Sequence, residues 1–143
     1  MVPPSKRFKP IQKIASHKER KAAAALGASL KQREAARERL DELRQYRAEY
    51  LERFAGATQA GLSSRQILEY QVFISKLETA IAQQEEIVSQ SQQVCDSTKA
   101  QWQGRYTKSK AMENVVGRMQ KAERQDSNKR EQSELDDRAQ RKR

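Results

Sequence analysis

The chain has 143 residues, 36% of them apolar and 34% charged, and its 29 Lys and Arg against 19 Asp and Glu give a net charge of +10. The length suggests one domain, but a chain this polar cannot surround a compact core on all sides. The composition also excludes a membrane span, which takes about 20 consecutive apolar residues, and the single cysteine, Cys95, excludes an internal disulfide.

What remains possible is a narrow seam between helices, which needs only two apolar positions in seven. The charge is unevenly spread. Residues 1–30 hold seven basic residues and one acidic, residues 105–143 hold twelve and seven, and residues 31–104 hold ten and eleven. A lone cysteine suits a reducing compartment, and the basic first residues precede no apolar run, so no secretory signal is expected. The expectation is a cytoplasmic chain.

The first ten residues contain all three prolines, Pro3, Pro4 and Pro10, and read as a flexible basic N-terminus. From Ile11 onward no proline interrupts the backbone, and good helix formers fill it. Helix one is expected over 11–55. Steps of three and four meet Leu26, Ser29, Arg33, Ala36, Leu40, Leu43, Arg47, Tyr50 and Phe54, with Ala15 and Ala22 on the seam before them. Gly27 is a flaw costing about 1 kcal/mol relative to alanine.

A loop is expected over 56–63. Gly56 can end helix one as a left-handed cap, and Gly61 lies in the loop. Ser63 reads as an N-cap with Gln66 completing a capping box, and Leu62 with Ile67 fits a hydrophobic staple.

Helix two is expected over 64–125 and carries the clearest signal. The same steps meet Ile67, Tyr70, Ile74, Leu77, Ile81, Gln84, Val88, Ser91, Cys95, Thr98, Trp102, Arg105, Ser109, Met112, Val116 and Met119. Sustained heptads of this kind argue for a coiled coil. Beyond Met119 the steps land on Glu123, Asp126 and Arg130, and the seam fades. Residues 126–143 then form a basic tail, frayed or a helical overhang.

A short loop makes the two helices antiparallel neighbours. The fold expected is all-α, a long antiparallel two-helix coiled-coil hairpin, monomeric, with Ala15 and Ala22 opposite Trp102 and Cys95. Helix two is expected to lack a seam partner beyond Met112. Both basic segments would then meet at the end away from the loop.

The two flanks of such a hairpin differ. One holds Arg37 and Arg44 against Glu78 and Glu85, a favourable pattern worth about 0–1 kcal/mol per exposed pair. The other holds Tyr46, Phe73, Ala80, Ile87 and Val94. An apolar strip rimmed by charge reads as a binding surface or as a widened seam, and spacing leaves both open.

Catalytic chemistry is not expected. His17 is the only histidine, so there is no His/Cys cluster for a metal. The five glycines stand apart and make no phosphate loop. No pocket is expected in a two-helix hairpin, and no cofactor is expected. Basic ends with heptads are also found in basic zippers. The segment 6–21, however, lacks an Asn/Arg-rich block for reading bases, and nucleic acid is not expected as a partner.

Helix one carries Leu43-x2-Tyr46-x2-Glu49-Tyr50, Gly61 follows, and helix two carries Tyr70-x2-Phe73-Ile74-x2-Leu77-Glu78-x-Ala80-Ile81. This pattern resembles the FliJ family of the bacterial flagellar type III export apparatus, most sharply over 39–84. The resemblance implies a two-helix coiled coil like the central stalk of rotary ATPases. Its open end would enter the hexameric export ATPase FliI, and another region would contact the export gate protein FlhA. Gate-binding positions implied by the family fall on Leu43, Tyr46, Tyr50, Phe73, Leu77 and Ala80. The family's Gln and His appear here as Arg39 and Gln84. The ATPase-binding end would use Lys6, Arg7, Lys9 and Lys13 with Met112, Val116 and Met119. Export chaperones would be a further class of partner. The membrane would be reached only indirectly, at the cytoplasmic face of the inner membrane. The alternatives are the equivalent stalk protein of a virulence type III system and a basic coiled coil that binds nucleic acid.

Overall fold

The computed structural model describes residues 2–142. Met1 and Arg143, the outermost residues of the expected N-terminal segment and tail, lie outside the described residues. Two helices, α1 (Pro4–Ala60) and α2 (Ser64–Arg141), pack against each other as an antiparallel hairpin. Among the described residues there is no strand, and no helix is long and apolar enough to cross a membrane.

Helix α1 is longer than its prolines suggest. It begins at Pro4, where a missing N–H costs nothing because the first turn has no intrahelical acceptor. The Pro3 carbonyl accepts from the amides of Lys6 at 3.1 Å and Arg7 at 3.4 Å. Pro10 lies inside the helix. There it removes one backbone hydrogen bond, and upstream of it Ser5 is tied to Glu123 of α2. The expected flexible segment 1–10 is therefore helical from Pro4.

The hairpin turn is also shorter than expected. α1 runs through Gly56 to Ala60, and only 61–63 connect the helices. The left-handed residue is Gly61, with φ 95°, whose amide donates to the Thr58 carbonyl at 3.2 Å. The capping box forms. The Ser63 amide donates to Gln66 Oε1 at 3.0 Å, and the Gln66 amide donates to Ser63 Oγ at 3.2 Å.

The shorter turn moves the register. Cys95 Sγ donates to the carbonyl of Ser29, not to a residue near Ala22, and Trp102 Nε1 donates to Glu19, four residues beyond Ala15. Each expected pairing slides toward the loop because α1 continues past Gly56.

The chain divides into two compact units. One comprises Ala25–Lys99. Its core is Leu40, Leu43 and Ile81, with Ala80 and Val88 packed against them, and Ala36, Leu77 and Cys95 are also buried. Polar groups pin its seam. Ser29 and Thr98 share a hydrogen bond of 2.7 Å, and Gln84 Nε2 donates to the Ala36 carbonyl at 2.9 Å. Such polar seam residues fix register at some cost in stability.

The other unit comprises Met1–Ala24 and Ala100–Arg143. Here the seam reaches further than the heptads suggest. Val116 is only 3% exposed, and Glu123 accepts from Ser5. The paired part of α2 therefore extends past Met112 at least to Glu123, and residues 124–142 are all exposed.

Candidate functional site

The unit 25–99 carries a cluster of five aromatic rings. Tyr46, Tyr50 and Phe54 stand on α1, and Tyr70 and Phe73 on α2. The heptad places Tyr50, Phe54 and Tyr70 on the seam, with Tyr46 and Phe73 beside it on one flank. Ring centroids lie 4.3 Å apart for Tyr50 and Phe73, 5.2 Å for Phe54 and Tyr70, 5.4 Å for Tyr50 and Tyr70, and 6.0 Å for Tyr46 and Phe73. The Tyr46–Phe73 pair is edge-to-face at 77°, an arrangement aromatic quadrupoles favour.

Burial sorts the six expected gate-binding residues. Leu43 and Leu77 are buried, Tyr50, Phe73 and Ala80 are half-buried, and Tyr46 is 43% exposed. The leucines belong to the seam and present almost nothing to a partner. Tyr46 offers the most surface to a partner, with the edge of Phe73 beside it. Ile87 and Val94 continue the flank and are 47% and 49% exposed. The flank is thus part seam at Phe73 and Ala80, and part free surface at Tyr46, Ile87 and Val94.

Phe54 and Tyr70 join the cluster, although neither is among the gate-binding positions that the family implies. Their signal in the sequence was aromatic character at seam positions facing each other across the loop. The two departures from the family pattern have local roles. Gln84 crosses to the α1 backbone, and Arg39 pairs with Glu42 at 3.4 Å.

The opposite flank is closed by charge. Arg44 pairs with Glu85 at 3.3 Å and Arg47 with Glu78 at 3.0 Å, whereas Arg37 donates to Gln92 at 3.1 Å. The seam residue Arg47 takes the partner expected for a flank arginine, because its long stem reaches out of the seam.

In the second unit, Lys6, Arg7, Lys9 and Lys13 are all exposed. Met112 and Met119 are half-buried, while Val116 is buried in the seam and presents almost nothing to a partner. This unit holds 19 basic and eight acidic residues, against ten and eleven in the other. Trp102 stacks on Tyr106 at 5.3 Å, and Lys110 lies over the Tyr106 ring at 5.8 Å.

The family model described as "Flagellar FliJ protein" matches residues 5–142. No curated protein matches the chain. Since the match spans nearly the whole sequence and the fold is a helical hairpin, the chain belongs to the FliJ family, a non-catalytic component of flagellar protein export.

Proposed function

We propose that the chain is a coupling stalk of the flagellar type III export apparatus, working at the cytoplasmic face of the inner membrane. In this reading it engages the hexameric ATPase FliI through its basic unit and the gate protein FlhA through its aromatic flank. It promotes assembly of the ATPase ring and efficient export, and carries out no chemistry itself. Export chaperones are candidate further partners.

The observation that carries this reading is the segregation of two surfaces. Exposed aromatic surface at Tyr46 lies in a unit with ten basic and eleven acidic residues, and the positive excess lies in the other unit. Aromatic side chains in a packed cluster suit a hot spot for a protein partner. A surface of one charge suits fast encounter with a partner of the other.

The test separates the two. Tyr46→Ala with Phe73→Ala should weaken FlhA binding at least about tenfold, as expected for hot-spot residues, while stimulation of the ATPase persists. Deleting residues 124–143, of which 124–142 are exposed, should abolish stimulation while FlhA binding persists. The coupling reading fails if the truncated chain stimulates the ATPase as well as the full one. If the double substitution melts the helices, the rings are core and not a binding surface.

A further inference from the structure

The first turns of α1 carry more apolar surface than the seam uses. Ile11 and Ile14 are 48% and 56% exposed. With Ala15 and Met112 they line a cleft of about 140 Å³ whose remaining walls are Lys18, Arg105 and Lys108. A cavity of about 150 Å³ holds one benzene ring. The cleft therefore has room for one side chain the size of Leu or Phe.

The cations around it are not neutralised. None of the ion pairs among the described residues involves Lys18, Arg105 or Lys108. Two carboxylates of the same unit serve other partners, Glu19 accepting from Trp102 at 3.0 Å and Glu113 from Lys110 at 3.2 Å. An apolar hollow walled by three free cations is complementary to an apolar side chain flanked by carboxylates.

We propose that this cleft docks an acidic protein segment, which inserts one Leu or Phe side chain between carboxylates that meet Lys18, Arg105 and Lys108. The proposal rests on reading this unit as a protein-binding surface, and it names the chemistry of the segment bound. A second copy of the chain is a weaker occupant. Its Leu135, 63% exposed, does stand beside Glu134, Asp136 and Asp137. Yet pairing two copies here would oppose units with 19 basic and eight acidic residues each, and like charge repels. An anionic bilayer also fits less well. An interfacial helix sinks a continuous apolar face into the headgroup layer, whereas here two helices wall a hollow of single-side-chain size.

The experiment titrates the full chain into a labelled helical peptide of Glu and Ala carrying one central Leu, followed by fluorescence anisotropy. Binding should saturate and weaken with salt. It should fall about tenfold when the central Leu becomes Ala, the loss expected from one buried side chain. Arg105→Gln with Lys108→Gln should weaken binding and flatten its salt dependence. Ile14→Ser should weaken binding with helicity unchanged, since Ile14 is exposed. Absence of binding, or binding indifferent to the central Leu, overturns the proposal. So does capture by phosphatidylglycerol vesicles that depends on Ile14, or a dimer in sedimentation equilibrium that Leu135→Ala dissolves. No ATPase is present in the assay. Failure here with ATPase stimulation intact overturns the cleft alone, and peptide binding without stimulation overturns the coupling reading alone.

Discussion

Glu123 takes two hydrogen bonds from Ser5, one from its amide at 3.0 Å and one from its hydroxyl at 2.6 Å. α1 has no acidic residue in its own first turn, so α2 supplies the anion that its N-terminus favours. The Ser5 hydroxyl and then its amide hold the Glu123 carboxyl below its ordinary value, with burial opposing them and Lys6 adding the weakest contribution. A depressed folded-state value means that this clasp contributes stability above the unfolded value, about 4.3 for glutamate, and loses it as pH falls through the folded one. The NMR shift of the Ser5 amide should therefore titrate at a lower pH than an ordinary glutamate would give. Glu123→Gln should abolish that titration. A Ser5 amide that titrates at the ordinary glutamate value would show that no clasp forms. Cys95 gives a second check. It is 3% exposed and bonded to the Ser29 carbonyl at 3.2 Å. Thiol reagents should reach it only at the rate of helix opening, and immediate reaction in the native protein would contradict the seam described.

At the scale of the helices, two glycines five residues apart have opposite roles. Gly61 turns the chain at φ 95°, a left-handed conformation that costs other L-residues about 1–2 kcal/mol. Gly56 lies inside α1 with open space around its Cα, so a methyl group there meets nothing. Gly61→Ala should destabilise the protein by about 1 kcal/mol. Gly56→Ala should stabilise it by about 0.5–1 kcal/mol. Urea unfolding monitored by circular dichroism measures both, and equal effects of one sign would place the turn elsewhere. In the sequence Gly56 reads as the cap that ends helix one and Gly61 as a loop residue. Only the packing of the following turn, with Ala57 half-buried, carries the helix past the first.

For the molecule as a whole, charge follows the division into units. Lys6, Arg7, Lys9 and Lys13 are exposed in the unit where basic residues outnumber acidic ones. Reversing the four to Glu should slow association with the ATPase and flatten its salt dependence, because long-range attraction acts on the encounter more than on the final contacts. Stopped-flow association across a salt series reads this directly. Unchanged rates at low salt would leave the basic excess with no role in binding. Helix content and FlhA binding should change little, since the four side chains are exposed and the aromatic flank belongs to the other unit.

The heptads by themselves determined two long helices and their pairing, because steps of three and four that hold one register and meet mostly apolar residues fit no other element. They also brought Tyr46, Tyr50, Phe73 and their neighbours to one stretch of the hairpin, and the Ser63/Gln66 cap was legible from residue types alone. Register was not legible. A coiled coil shifted along its partner keeps most of its apolar matches, so the pattern alone scarcely separates the alternatives, and the position of the left-handed glycine chooses among them. Tertiary contact likewise decided that α1 starts before Pro10, that Val116 is buried, and that Glu123 belongs to the seam. It also decided which members of the aromatic flank face solvent. Leu43 and Tyr46 lie within one turn of each other, and only packing against α2 buries the first and leaves the second exposed.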